Sequence, residues 1–268
     1  MKVIKWLICL TVLCQMSMAF ARDYNACCPC DPCDSCFSNF DYSFYADFLY
    51  WKPSRTELIK DTDGSTEYLD PDYDVGYRLG ARLHCNKGDL GIRYTSFESD
   101  DKSGDAKLGL DYDVVDIEAR YALDFDCNKF ILRPFMGVKL AWIDEVVDND
   151  DNDKGHQDFE GYGIYLGTEA NYLICNNLSL IGRGSFGILY SKFAVSKSDE
   201  NRHDERLYTP VLDGFIGFNY DFCEVYCTTP SVQIGYEVQH WGWREYSSDS
   251  DIANLGLGGL TFRVNLDF

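Results

Sequence analysis

Ten segments of the chain alternate apolar and polar side chains with a period of two, and turn-forming residues follow each segment. A period of two places successive side chains on opposite faces of a β-strand. No segment sustains the apolar 3.6-residue period of an amphipathic helix. The pattern therefore predicts an all-β protein with strands near 42–51, 73–85, 89–98, 112–125, 130–143, 159–174, 178–193, 207–222, 231–245 and 255–268.

The two faces of these strands differ in a way that is untypical of a soluble core. In the segment 159–174 one face is apolar and consists of Tyr162, Ile164, Leu166, Ala170, Tyr172 and Ile174. The opposite face is small and polar and consists of Gly161, Gly163, Gly167, Glu169 and Asn171. Because a soluble core would not bury the second face, we expect the first face to contact lipid. The sequence predicts a closed antiparallel transmembrane β-barrel of about ten strands, within a range of eight to twelve.

The connections between the predicted strands alternate in length. Short turns follow the even-numbered strands, and long polar segments follow the odd-numbered ones, near 52–72, 99–111, 144–158, 194–206 and 246–254. Barrels of bacterial outer membranes have short periplasmic turns and longer extracellular loops. With a formal net charge of -20, the sequence predicts long, acidic extracellular loops and disfavours nucleic acid as a partner.

Both ends of the chain carry features of an exported outer-membrane protein. Residues 1–21 have the charged, apolar and small-residue regions of a signal peptide, including Lys2, Lys5 and the segment Ala19–Ala21. Residues 22–40 form a Cys-rich periplasmic arm in this interpretation, and residues 41–268 form the barrel. The final strand alternates up to Phe268, an aromatic terminus of the kind that barrel-assembly machinery recognises. The predicted partners are therefore that machinery and outer-membrane lipid.

Ten cysteines remain after the predicted signal peptide, and all of them fall in the arm or beside the short turns. An exported chain meets an oxidising compartment, so these residues are disulfide candidates. The pairing stays open, within the chain or with other Cys-rich envelope proteins, and a metal site at Cys30, Cys33 and Cys36 is the lesser alternative. We therefore expect no metal and no other cofactor. The candidates are Cys27, Cys28, Cys30, Cys33, Cys36, Cys85, Cys127, Cys175, Cys223 and Cys227.

The inward-facing positions of the predicted strands carry nearly balanced charge. Basic and acidic groups in a narrow lumen either pair with each other and plug it, or line a narrow passage for small solutes. Both interpretations stay open from the sequence. The predicted lumen-lining residues are Arg78, Arg82, Arg93, Glu118, Arg120, Arg133, Lys139, Glu169, Arg183, Asp213, Glu237 and Arg263, with Asp47 and Asp116 beside them.

Catalytic patterns are weak. Gly182–Gly187 matches a dinucleotide-binding pattern in its letters, but it falls inside a predicted strand and opens no helix. His203 lies in a predicted outer loop without a nucleophile at recognisable spacing, so a hydrolase at the rim is the minor alternative, and we predict no catalytic residue and no enzyme. The acidic run 144–153 is predicted to be a solvated loop, with loose Ca²⁺ binding as the alternative. His240, Trp241, Trp243 and Tyr246 are predicted to form an interfacial girdle.

Three segments resemble a known family. Ala46-Asp-Phe-Leu-Tyr-Trp-Lys-Pro53 resembles the opening strand of the Legionella-type outer-membrane proteins, which are described as pore-forming, and Gly76–Arg82 and Asp89–Thr95 resemble its next two strands. The arm Cys27–Cys36 is similar to Cys-rich envelope proteins of Chlamydia-related bacteria. The resemblance implies a porin-like protein of the bacterial outer membrane with a disulfide-stabilised periplasmic side. A non-conducting structural protein, or an adhesin that uses acidic surface loops, is the alternative.

Overall fold

In the computed structural model, described residues lie between 41 and 268. They are 41–55, 58–60, 66–68, 71–85, 87–103, 106–125, 129–149, 153–175, 177–197, 201–225, 228–242 and 254–268. The predicted signal peptide and the Cys-rich arm lie outside these ranges. No helix in the described ranges is long and apolar enough to cross a membrane.

Ten strands form the main sheet, which confirms the predicted fold class. They are β1 (Asp41–Arg55), β2 (Asp74–Cys85), β3 (Gly88–Ser103), β4 (Ala106–Tyr121), β5 (Phe130–Asn149), β6 (Asp153–Cys175), β7 (Leu178–Lys197), β8 (Asn201–Asp221), β9 (Thr229–Trp241) and β10 (Leu255–Asp267). A short segment, Leu123–Phe125, follows β4 and pairs with β5. A separate small hairpin, Leu58–Lys60 with Thr66–Tyr68, lies between β1 and β2 in the chain.

The sheet closes on itself because β1 pairs with β10 as well as with β2. Asp47 stands opposite Arg78 on one side and Arg263 on the other, and both pairings are antiparallel. Closure supplies each strand with two hydrogen-bonded neighbours, which a sheet in hydrocarbon requires. The even strand number brings Asp41 and Phe268 to one end of the barrel, called here the terminal rim. The opposite end is called the far rim.

The exterior of the barrel carries an apolar band. Ile164 is 71% exposed and Met136 is 68% exposed, although both are large apolar side chains. Alternate residues of the same strands point inward, and among them Lys139 of β5 is only 1% exposed. The band on β6 extends from Tyr162 to Tyr172, which at the usual rise and tilt corresponds to about 25 Å, the height of the lipid-facing band of such barrels.

Toward the far rim the apolar side chains change face. In the outer part of β4, Tyr112 and Val114 are buried inside the barrel, and Asp111 is exposed outside. A few residues nearer the terminal rim, Ile117 is exposed outside and Asp116 is buried inside. The outer section is therefore apolar inside and polar outside, as in a water-soluble β-barrel, and the middle section has the opposite arrangement.

This change of face explains why three predicted loops are wrong. Residues 99–111, 144–158 and 194–206 were expected to be long connections, but β3 and β4 are separated only by 104–105, β5 and β6 by 150–152, and β7 and β8 by 198–200. Antiparallel pairs satisfy their backbone groups in water as well as in lipid, so the strands continue beyond the apolar band. Of the acidic run 144–153, the described residues belong to strands: 144–149 to β5 and Asp153 to β6.

The ends of the strands differ from the prediction at β9 as well. β9 ends at Trp241, whereas the sequence predicted a strand to residue 245. Trp241 was predicted to belong to an exterior girdle, but its side chain points into the barrel and is 0% exposed. His240 lies exposed on the exterior, and the other two residues of the predicted girdle, Trp243 and Tyr246, lie outside the described residues.

Candidate functional site

The interior of the barrel is the candidate site, because it concentrates the buried charged side chains. A first group joins β1, β2, β9 and β10. Arg78 donates to Asp47 at 3.1 Å and to both oxygens of Glu237, at 2.8 and 3.0 Å. Arg263 donates two hydrogen bonds to Asp47, at 2.7 and 2.8 Å. Two carboxylates thus face two guanidinium groups in bidentate geometry, which is the strongest form of such pairs.

Neutral side chains extend this first group toward the far rim. Thr261 donates to Glu237 at 3.1 Å, and Trp51 Nε1 donates to Thr261 at 3.3 Å. Gln239 donates to Glu237 at 3.3 Å and accepts a hydrogen bond from Tyr112 at 2.7 Å. The remaining lone pairs of the buried Glu237 are therefore occupied, as burial of a charge in a confined space requires.

A second group centres on Asp116 of β4. Asp116 forms ion pairs with Arg93 at 2.7 Å and with Lys139 at 3.1 Å. Lys139 also lies 3.4 Å from Asp213, which accepts a hydrogen bond from Ser185 at 3.0 Å. Three strands from one side of the barrel are thereby connected through the interior to β7 and β8.

A third group lies closer to the terminal rim. Glu118 accepts hydrogen bonds from Arg183 and, at 3.1 Å, from Tyr165. Glu169 lies within ion-pair distance of Arg120 at 3.3 Å, Arg133 at 3.4 Å and Arg183 at 3.7 Å. Arg120 in turn pairs with Asp89 at 2.6 Å. Three arginines face three carboxylates here, and the Arg133 side chain is 27% exposed, so water reaches this end.

Aromatic rings line the interior between the ion pairs. Arg263 and Arg82 lie over the ring of Tyr45 at 4.1 and 4.7 Å, and Arg183 lies over Phe135 at 4.2 Å. Such stacking stabilises a guanidinium group that has lost water. The structure places the predicted lumen-lining residues on inward-facing positions, eleven of them in the three ion-pair groups and Arg82 on Tyr45. The far half of the interior decides whether these residues line a passage or fill a closed barrel.

An apolar cluster that the sequence analysis did not predict fills the far half. We call it the apolar seal. Trp51 and Trp241 are its largest members, at 1% and 0% exposure, and Tyr112 and Phe159 pack edge-on against Trp241 at ring-centroid distances of 5.8 and 5.9 Å. The seal comprises Leu49, Trp51, Phe97, Leu110, Tyr112, Val114, Ala141, Ile143, Phe159, Leu189, Phe193, Val211, Trp241, Leu255 and Leu257.

The described cysteines lie at the terminal rim. Cys85 ends β2, Cys175 ends β6 and Cys223 follows β8, and all three are exposed free thiols. Cys127, Cys227 and the five cysteines of the arm lie outside the described residues. Within the part of the chain that the structure describes, no group of three or more His, Cys, Asp or Glu side chains is arranged to hold a metal ion.

A closed, ten-stranded antiparallel barrel with an apolar exterior band and a charged interior defines the class of bacterial outer-membrane β-barrel proteins. The family model described as "Legionella pneumophila major outer membrane protein precursor" matches residues 33–268, so the chain belongs to this family. The outer membrane is therefore its location. Comparison with curated proteins gives no match.

Two solved structures are similar to this chain at low sequence identity. The outer membrane protease OmpT from Escherichia coli is 9% identical, with a TM-score of 0.51 over 86% of this chain and 96% of that one. The translocator domain of autotransporter NalP from Neisseria meningitidis is 11% identical, with a TM-score of 0.48 over 86% and 88%. The likeness to OmpT shows the fold alone, and the protease activity in its name is a property of that protein.

Proposed function

We propose that this protein is a sealed barrel with a structural role in the outer membrane, and that its projecting far rim is a contact surface. The observation that carries the proposal is the apolar seal, which occupies the far half of the interior with residues such as Trp51, Phe97 and Trp241, each at most 1% exposed. Eight-stranded barrels are already filled by side chains and wide aqueous channels need about 16 strands, so a ten-stranded barrel falls near the filled end of this range.

The physical cost of conduction supports the same interpretation. An ion entering from the terminal rim would meet paired charges first and then a dry apolar layer. Crossing such a layer without water costs several kcal/mol or more for an ion. Opening the layer would require two tryptophans and their edge-packed neighbours to leave buried positions together, which close packing resists.

Conductance of the refolded protein in planar bilayers tests the proposal. We expect no stable channels from the wild-type chain, and we expect them from Phe159→Ala/Trp241→Ala, which removes two contacting rings of the seal. Phe218→Ala is the matched control, because it removes a lipid-facing aromatic ring from β8, and this variant should form no channels. Reproducible wild-type channels would contradict the proposal, and so would a double variant that folds but remains closed.

A narrow solute passage is the second candidate function. The family resemblance favours it, and so does the partly exposed Arg133, which is the group of this end that an entering anion would meet first. Anion-selective wild-type channels that lose their selectivity in Arg133→Gln would establish this function in place of the first.

We also propose that the thiols at the terminal rim enter disulfides, with the arm or with Cys-rich envelope proteins. Exposure of Cys85, Cys175 and Cys223 supports this proposal, since all three are accessible to a partner. Non-reducing electrophoresis of native envelopes should show bands that collapse on reduction. A triple Cys→Ser variant that leaves the pattern unchanged would contradict a role for these three residues.

A further inference from the structure

Two parallel rows of side chains cross the exterior of β6, β7 and β8 at the upper edge of the apolar band. The first row is aromatic: Tyr162, Tyr190 and Tyr208 are cross-strand partners. Their ring centroids are 5.8 Å apart between the first two and 5.6 Å apart between the last two. Tyr208 is 73% exposed, so its ring contributes little to the packing of the protein itself.

The second row is charged and lies one exterior position nearer the far rim. Glu160 stands opposite Lys192, and Lys192 stands opposite Arg206. All three are exposed. Like charges directly opposite each other in a sheet are unfavourable, so the Lys192 and Arg206 pair carries an energetic cost. Glu160 is the acidic member of the row and stands beside Lys192.

Few of the described side chains place a cation on the exterior of the far half. The chain has a formal net charge of -20, and eight of its described basic side chains point into the barrel. Among the described side chains, the exterior basic residues of the far half are Lys52, Lys192 and Arg206. Lys192 and Arg206 are also cross-strand partners. Two cations at one height above three tyrosines form a site with a definite charge preference.

The position of the site relative to the apolar band indicates which kind of molecule contacts it. The apolar band on β8 extends outward from Phe218 to Tyr208, again about 25 Å for its strand rise and tilt. Arg206 is the next exterior residue, where the headgroup region of the outer leaflet begins. Among the described residues, the pairing of β8 with β9 ends at Val211 and Trp241, so Arg206 lies beyond the paired part of these two strands.

We propose that Lys192 and Arg206 bind the phosphate of an anionic lipid of the outer leaflet, with the lipid's apolar part against Tyr190 and Tyr208. The Arg206 guanidinium offers a planar pair of donors that matches two phosphate oxygens, and the Lys192 ammonium adds a second positive charge. The bound phosphate removes the repulsion between the two cations. The lipid thereby ties β7 to β8 at the level where the apolar side chains change face.

Native mass spectrometry of the refolded full chain in a neutral maltoside detergent, titrated with diphosphoryl lipid A, tests this site. We expect one lipid retained at low concentration and an affinity at least about tenfold weaker in Lys192→Gln/Arg206→Gln. Lys52→Gln removes an exterior cation of the same half on another strand and should bind as the wild type. Unchanged binding in the double variant, or an equal loss in the control, would overturn the proposal.

Two further measurements distinguish lipid binding from the binding of other ligands. Lipid A without phosphates should bind at least about tenfold more weakly, and inorganic phosphate at the same concentration should not displace the bound lipid. Displacement by inorganic phosphate would show a free-anion site, and equal binding of the dephosphorylated lipid would show a purely apolar contact; either result overturns the proposal. The single variants Lys192→Gln and Arg206→Gln keep the test decisive if the double variant fails to refold.

Discussion

At the scale of single residues, inward-facing glycines make room for aromatic rings. A Cβ added to Gly80 would overlap the ring of Tyr45, its cross-strand partner. A Cβ on Gly137 would lie 2.8 Å from the Tyr165 ring. These rings lie flat against the wall of the barrel, where Arg82 and Arg263 stack on Tyr45. The small residue on one strand and the large one on the next therefore act as a unit.

Gly80→Ala should destabilise the barrel by about 1–3 kcal/mol, since the extra carbon displaces the Tyr45 ring and the two guanidinium groups on it. Gly182→Ala is the matched control: it adds the same carbon to β7, where no described atom lies within 4 Å of the new position. Urea unfolding followed by heat-modifiable mobility in electrophoresis measures both. Equal midpoints for the two variants would show that the ring has room to move.

Arg78→Met should cost about 3 kcal/mol or more of unfolding free energy, because it leaves Glu237 buried without its ion-pair partner while Asp47 keeps Arg263. Adding Glu237→Gln should recover part of the loss, and Lys87→Met in an exposed turn should have little effect. The measurement is the same unfolding assay. A double variant no better than Arg78→Met would mean that hydrogen bonds, not charge pairing, dominate this group.

At the scale of strands, acidic residues form a row on the exterior beyond the apolar band. Register pairs Glu98 with Asp111, Asp111 with Asp144 and Asp144 with Asp158. His156 lies 2.7 Å from Asp158. Partial burial and then the negative charges of Asp158 and Asp111 raise the pKa of Asp144 above its ordinary value. The row thus carries an unfavourable charge at neutral pH.

Asp144→Asn should therefore raise the thermal unfolding midpoint at neutral pH. The raised pKa means that the folded barrel is penalised when Asp144 is ionised, and this penalty disappears as the pH falls through the raised value toward about 3.9, the ordinary value for Asp. Below that pH the variant and the wild type should unfold alike. Asp124→Asn, exposed near the terminal rim, is the control; an equal rise there would point to net charge and not to the row.

The strands themselves could be predicted from sequence, but their outer ends could not. Alternation identified all ten strands because one face must contact hydrocarbon. Beyond the band, exterior residues such as Asp111 and Asp144 become polar while inward residues become apolar, so the pattern inverts and resembles a loop. The adjacent pair Val114-Val115 marks this inversion in β4 and was the available signal.

The apolar seal was missed for a related reason. A period of two separates the faces of one strand but does not say which inward side chains of distant strands meet. Trp51 and Trp241 are nearly two hundred residues apart in the chain and share one cluster only through closure of the barrel. The inward charges were easier to predict, because a charged side chain on a strand within the apolar band avoids lipid only by pointing into the barrel.

At the scale of the whole molecule, the barrel consists of two sections built for different solvents. The section within the band has charge inside and hydrocarbon contacts outside, and the outer section has an apolar core and a polar exterior. Each section satisfies the rule that apolar surface avoids water. The inversion therefore fixes the depth of the protein in the membrane, because sliding by a few residues in either direction would expose apolar surface or bury acidic side chains.

An even number of strands puts both termini at one rim, and we expect this rim to face the periplasm, which the thiols can test. Periplasmic placement of the termini puts Cys85, Cys175 and Cys223 on the inner side of the membrane. A membrane-impermeant maleimide should leave them unlabelled on intact cells and should label them, after reduction, once the outer membrane is permeabilised. Ser54→Cys, introduced near the far rim in a chain lacking the native cysteines, should be labelled on intact cells. Labelling of the native thiols from outside would reverse the orientation, and with it the leaflet in which Lys192 and Arg206 meet lipid.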